Sequence, residues 1–89
     1  MAGSRLRHRC VPFRAFGDWL IVARPIDGAA TILEPTAAVV WRQLDDWTTQ
    51  QDIDRSLAHA FPTVSTAERL AARIQILEGF RADDLVERS

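Results

Sequence analysis

The hydrophobic pattern changes period near the middle of the chain. Before Pro35 it alternates: Val11, Phe13 and Ala15 share one side of an extended segment, with Cys10, Arg14 and Phe16 on the other. Residues 10–16 are therefore predicted as a first strand, placed at a sheet edge because Pro12 has no N–H to give a ladder. Gly17-Asp18 turns the chain, residues 19–24 are rich in β-formers, and Pro25 ends them before an Asp27-Gly28 turn. Residues 29–34 return as a third strand beside the second. The product is an antiparallel meander with an exposed edge, whose unpaired N–H and C=O groups are a template for another strand.

From Pro35 onward the period is that of a helix. Pro35 suits a first helical turn, and Ala37, Val40, Trp41 and Leu44 recur at helical spacing. Asp45-Asp46 opposes the macrodipole of a helix end, so the first helix is predicted to stop near Leu44. Thr48 with Gln51 reads as a capping box for a second helix over 49–61, whose apolar face is Ile53, Leu57, Ala60 and Phe61. Pro62 terminates it, and Ser65 with Glu68 starts a third helix over 66–82. That helix has two apolar rows. Ala67, Leu70, Ala71, Ile74 and Leu77 are assigned to the core. Ala72, Ile76 and Phe80, bracketed by Arg69 and Arg73, are left for the sheet, a twin subunit or a ligand. Leu85 and Val86 are placed back on the core.

Composition narrows the function. At 89 residues the chain is read as one domain, burying about 60–65% of the surface its unfolded form exposes, too little for a deep enzyme cleft. An apolar content of 47% excludes disorder, and a net charge of -1 gives no global attraction to nucleic acid or anionic membrane. All 11 basic residues are Arg. Residues 1–9, with Gly3, Ser4, Arg5, Arg7 and Arg9 and no apolar period, are expected to be a flexible basic arm preceding a single domain over 10–89. Cys10 is alone, so no internal disulfide is needed and a cytoplasmic location is the default. The apolar runs 19–23 and 37–41 fall far below the ~20 residues that span a bilayer.

No catalytic constellation emerges. His8 and Cys10 are two apart but lack further ligands for a metal. His59 has polar neighbours, and Asp45, Asp46, Asp52 and Asp54 gather near the start of the second helix, where the dipole alone favours them. There is no phosphate loop, no nucleophile with a placed base and no zinc pattern, so neither catalysis, nor a cofactor, nor a metal is expected. Trp19, Trp41 and Trp47 are read as core or core-rim residues rather than as a base-stacking platform, and the acidic start of the second helix is unsuited to reading a DNA groove.

The order of three strands and three helices, with LEPTAAVVWRQLDDWTTQQDI at its centre, resembles the PqqD-like family. Its members are small peptide chaperones, or precursor-recognition elements, of ribosomally made and modified peptides. The resemblance is carried by Leu33, Pro35, Ala37, Ala38, Val39, Val40, Trp41, Leu44, Thr48 or Thr49, Ile53 and Leu57, and extends over residues 13–86. Two departures stand out: Glu34 where the family often has Asn before the proline, and Gly79-Phe80 separated from Leu85-Val86 in the closing Leu-x-x-x-Gly-Leu-Val pattern.

The resemblance implies an α+β, winged helix-turn-helix-like fold, a three-stranded antiparallel sheet followed by three helices. It implies that a leader peptide binds as an added strand on the third strand and against the third helix. Transferred to this chain, the site is Ala29, Ala30, Thr31, Ile32, Leu33 and Glu34 with Arg69, Ala72, Arg73, Ile76 and Phe80. Arg69 and Arg73 are expected to favour acidic leaders, and their charge reversal to weaken binding without unfolding the domain. The implied partners are the precursor peptide and a separate modifying enzyme, either a radical enzyme of the quinone-cofactor pathway or the protease and cyclase of a lasso-type system. Two rival readings are a winged-helix DNA-binding regulator, supported by Arg5, Arg7 and Arg9, and a dimerisation or scaffold module. In the second a twin subunit, with or without strand exchange, covers the third strand, Ile76 and Phe80.

Overall fold

Gly17 and Gly28, both at positive φ (60° and 70°), make the two turns of the meander, a backbone region that glycine enters without a Cβ clash. The computed structural model describes residues 5–89. Its elements in chain order are β1 (Leu6–His8), β2 (Phe13–Phe16), β3 (Trp19–Ala23), β4 (Ala30–Leu33), α1 (Pro35–Gln43), α2 (Gln50–Ala60), α3 (Thr66–Ala82) and β5 (Val86–Arg88). The architecture is α+β: the antiparallel sheet β2-β3-β4 is followed by three helices, and β1 with β5 forms a second, two-stranded sheet.

Register divides the meander into two faces. Leu20 lies opposite Leu33 and Val22 opposite Thr31, and Leu20, Val22 and Leu33 are buried under the helices. The alternate residues Phe16, Trp19, Ile21 and Ile32 remain exposed on the outer face. Trp19, expected in or near the core, stands there stacked on Phe16 at 6.4 Å. The first strand begins at Phe13 rather than residue 10. Pro12 lies outside it but still accepts a hydrogen bond from the Ala23 N–H at 3.0 Å.

The expected flexible arm is ordered where the structure describes it; residues 1–4 of that arm lie outside the described residues. Leu6 is 2% exposed. It exchanges backbone hydrogen bonds with Thr48, at 2.8 and 2.9 Å, and β1 pairs antiparallel with β5. Arg7 bonds Glu87 at 3.1 Å and stands over the Trp47 ring at 4.4 Å, while Arg9 bonds Asp84 at 3.1 Å. The domain therefore takes in residues before 10. With one apolar side chain in three residues, β1 has no period to display, and its partner strand lies at the far end of the chain.

Helix ends follow local chemistry with one correction. Glu34 caps α1, its carboxylate accepting the N–H groups of Thr36 and Ala37 at 3.3 and 3.1 Å. Thr49, not Thr48, caps α2 by accepting the Asp52 N–H at 3.1 Å. Thr48 is buried instead, its backbone paired with Leu6 and its hydroxyl accepting from Gln43 Nε2 at 3.1 Å. Ser65 caps α3, which runs over the predicted residues.

The buried face of α3 is turned relative to expectation: Leu77 is buried as assigned, but it is joined by Phe80 of the other row rather than by Leu70 and Ile74. Leu77 and Phe80 are buried, whereas Leu70 is 42% and Ile74 45% exposed, and Ala67 and Ala71 are exposed with them. The cause lies in the arginines. Arg73 bonds Asp54 of α2 at 2.7 Å, and Arg69 donates to the carbonyls of Phe61 and Val64 in the α2–α3 connection. With their charges answered there, the face carrying 69, 72, 73, 76, 77 and 80 turns inward. Trp41, 0% exposed, centres the core, stacked on His8 at 4.2 Å and edge-on to Phe13 and Phe80, each at 5.7 Å. Leu85 and Val86 are buried as expected, Val86 within β5. Among the described residues no helix is long and apolar enough to cross a membrane.

Candidate functional site: a groove beside the β4 edge

Among the described residues, the expected third strand, β4, is paired only with β3. Its ladder alternates. Arg24 N–H donates to Ala29 O across the β3–β4 side, which makes Val22–Thr31 and Leu20–Leu33 the bonded pairs two and four residues on. The N–H and C=O groups of Ala30 and Ile32 consequently point to the open edge. Opposite that edge lies α3, and between them is a groove of about 440 Å³. Leu33, Ala37, Ala72, Ile76, Phe80 and Leu85 make its apolar lining, with Thr31, Glu34, Thr36, Gln75, Gly79 and Asp83 around them. A second recess of about 220 Å³ shares Thr36 and Ala72 and continues past Leu57, Phe61, Val64, Glu68 and Arg69.

Of the residues transferred from the resemblance, Thr31, Leu33, Glu34, Ala72, Ile76 and Phe80 meet in the groove. Ala30 and Ile32 supply the open backbone edge, and the Ile32 side chain, 61% exposed, lies on the outer face of the sheet. Ala29 sits in the turn, its N–H donating to Asp27 Oδ1 at 3.0 Å. Neither Arg69 nor Arg73 lines the groove: Arg69 lines the second recess and a further one beside Asp54 and Leu70, and both guanidinium groups are engaged inside the fold. The groove also takes in Thr36, Ala37 and Leu85, and Gln75, Gly79 and Asp83, which fall three residues after Ala72, Ile76 and Phe80 on one helical face; none of these six was among the expected site residues.

The electrostatics of the groove are acidic. Its ionisable lining residues are Glu34 and Asp83. Asp83 Oδ1 stands 3.8 Å from Arg24 Nη1, and Arg24 is held more closely by Asp27, at 2.7 Å. The Ala29 N–H bond, with smaller help from Arg24, holds the Asp27 carboxyl below the usual carboxylate range. No histidine or cysteine lines the groove. His8 is stacked in the core with Nε2 3.3 Å from Asp45 Oδ1, Cys10 is exposed, and among the described residues no three His, Cys, Asp or Glu side chains are placed to hold a metal ion. An open strand edge above an apolar recess has the geometry that can take an extended chain, with main-chain bonds along one side and side-chain pockets below. Compared with family models, curated proteins and solved structures, the chain matches none.

Proposed function

We propose that this protein is a non-catalytic peptide-binding module that captures a segment of a ribosomally made precursor as an added strand on β4. The observation that carries this reading is the coincidence of the open β4 edge with the apolar groove against α3. The resemblance to PqqD-like proteins supports the same site and supplies the biological setting: a leader peptide held in the cytoplasm for a separate modifying enzyme of quinone-cofactor or lasso type. No cofactor takes part.

Energetics fit a reversible carrier. Four outward main-chain groups at about 1 kcal/mol each, with two seated aliphatic side chains at about 2 kcal/mol each, give about 8 kcal/mol before ordering costs. That corresponds to a dissociation constant of about 1 μM at the tightest. Of the three arginines behind the DNA-regulator reading, Arg7 and Arg9 are paired with Glu87 and Asp84, which favours the peptide reading.

An amide NMR titration of the labelled protein with candidate leader peptides tests the proposal. Capture moves the signals of Ala30, Thr31, Ile32 and Leu33 together with those of α3 between Ala72 and Phe80. The variant Gly79→Leu sharpens the test: a Cβ at Gly79 meets nothing within 4 Å, so the helix tolerates it while the side chain enters the groove. Shifts that persist unchanged in this variant, or that fall elsewhere, would exclude the groove as the binding site.

A further inference from the structure

We infer that the groove selects a peptide whose apolar anchor is flanked by lysine or arginine and discriminates against one flanked by Asp or Glu. This rests on the strand-capture reading above and specifies the chemistry of its ligand.

Three independent features agree. First, the groove's ionisable side chains are both acidic and stand at its two ends. Glu34 directly follows β4. Asp83 is tied to Arg24, whose N–H bonds Ala29 just before β4. Between Ala29 and Glu34 lie Ala30, Thr31, Ile32 and Leu33, about 13 Å of strand. Second, the two arginines that bracket the groove row of α3 are withheld, Arg73 by Asp54 and Arg69 by the carbonyls of Phe61 and Val64. Arg24 is shared between Asp27 and Asp83, leaving that group of three with one excess negative charge. Third, Asp83 is the C-cap of α3, so the negative end of that helix dipole adds to its end of the groove, which makes it the stronger of the two, since the Glu34 charge is partly offset by the α1 N-terminus that it caps.

Alternation sets the middle of the ligand. Every second residue of an added strand faces the lining formed by Leu33, Ile76 and Phe80, and the residue between faces outward beside the exposed Ile32. The fitting segment is thus a short continuous apolar run with a basic residue just beyond each end, long enough to reach Glu34 or Asp83 with its head while its stem stays on apolar surface.

The experiment uses the whole protein and two capped nine-residue probes, Gly-Lys-Lys-Leu-Val-Leu-Lys-Lys-Gly and its counterpart with Glu for every Lys. Affinity is read from amide shifts at low ionic strength and again at about 0.15 M. The lysine probe is expected to bind on the order of tenfold tighter at low salt, with the gap narrowing as salt rises. Asp83→Asn narrows it as well, and Glu34→Gln provides the same reading from the other end. Equal affinities, or tighter binding of the glutamate probe, overturn the charge selection while leaving strand capture intact. Absence of shifts along β4 with either probe overturns strand capture and the selection together.

Discussion

The orientation of α3 decides whether the groove exists, and two leucines on that helix test it. Leu77 is 2% exposed and Leu70 is 42% exposed, two helical turns away. Truncating each to alanine makes the same chemical change in opposite environments. At Leu77 the loss of three apolar carbons removes about 2.4 kcal/mol of transfer energy. The cavity left among the core side chains brings the total to about 3–4 kcal/mol. At Leu70 the side chain is largely solvated already and alanine is the better helix former, so the cost is expected to be about 0.5 kcal/mol.

Urea unfolding followed by tryptophan fluorescence separates the two. With a slope of about 1 kcal/mol per molar for a chain of this size, Leu77→Ala lowers the midpoint by about 3 M and Leu70→Ala by about 0.5 M. A slope unchanged between variants keeps the comparison on the folded state. Leu70 and Leu77 lie seven residues apart on nearly one side of α3, so an equal cost would mean that their row is packed along its whole length, against the exposed Leu70 and Ile74 on which the orientation of α3 rests. The placing of Ile76 and Phe80 in the groove, and with it the case for strand capture, would then lose its ground.

Other perturbations probe the rest of the structure. Leu6→Ala is expected to cost about 2–4 kcal/mol in the same assay, because Leu6 is buried between β5 and Thr48; a dispensable arm would leave the midpoint unmoved. Arg73→Glu sets a carboxylate against Asp54 and is expected to destabilise by about 2 kcal/mol, discounted because Asp54 is 40% exposed. An unchanged stability with weakened peptide binding would restore Arg73 to a direct role in the site. Asp27 has its folded pKa depressed, so its contribution is present above the usual carboxylate range and is lost as pH falls through the folded value. A carboxyl NMR titration should place its midpoint below that range in the native protein and within it for Ala29→Pro, which removes the N–H donor.

The meander and the following helices were legible because their signals are local. Gly17 and Gly28 sit at the turns they predict, the period changes at Pro35, and Ser65 with Glu68 marks the start of α3. What was hidden depends on contacts between distant residues. The β1–β5 pairing joins Leu6 to Arg88, and no period in either triplet announces it. Thr48 and Thr49 are equivalent as capping residues until Leu6 takes the backbone of Thr48, leaving Thr49 to cap α2.

The candidate site divides in the same way. Its strand half followed from alternation and the turn at Gly28. Of its expected helical half, Ala72, Ile76 and Phe80 line the groove, whereas Arg69 and Arg73, expected to flank it, are engaged elsewhere. Counting apolar residues cannot choose between two rows on a helix when the arginines beside one row have partners on another element. Asp54 and the carbonyls of Phe61 and Val64 supply those partners, and one rotation of α3 then has two results. It draws Phe80 onto Trp41 to close the core beneath the groove, and it removes the cations from the groove's rim, leaving Glu34 and Asp83 to set its charge. The electrostatic preference proposed for the groove is, on this reading, a consequence of how the core closes.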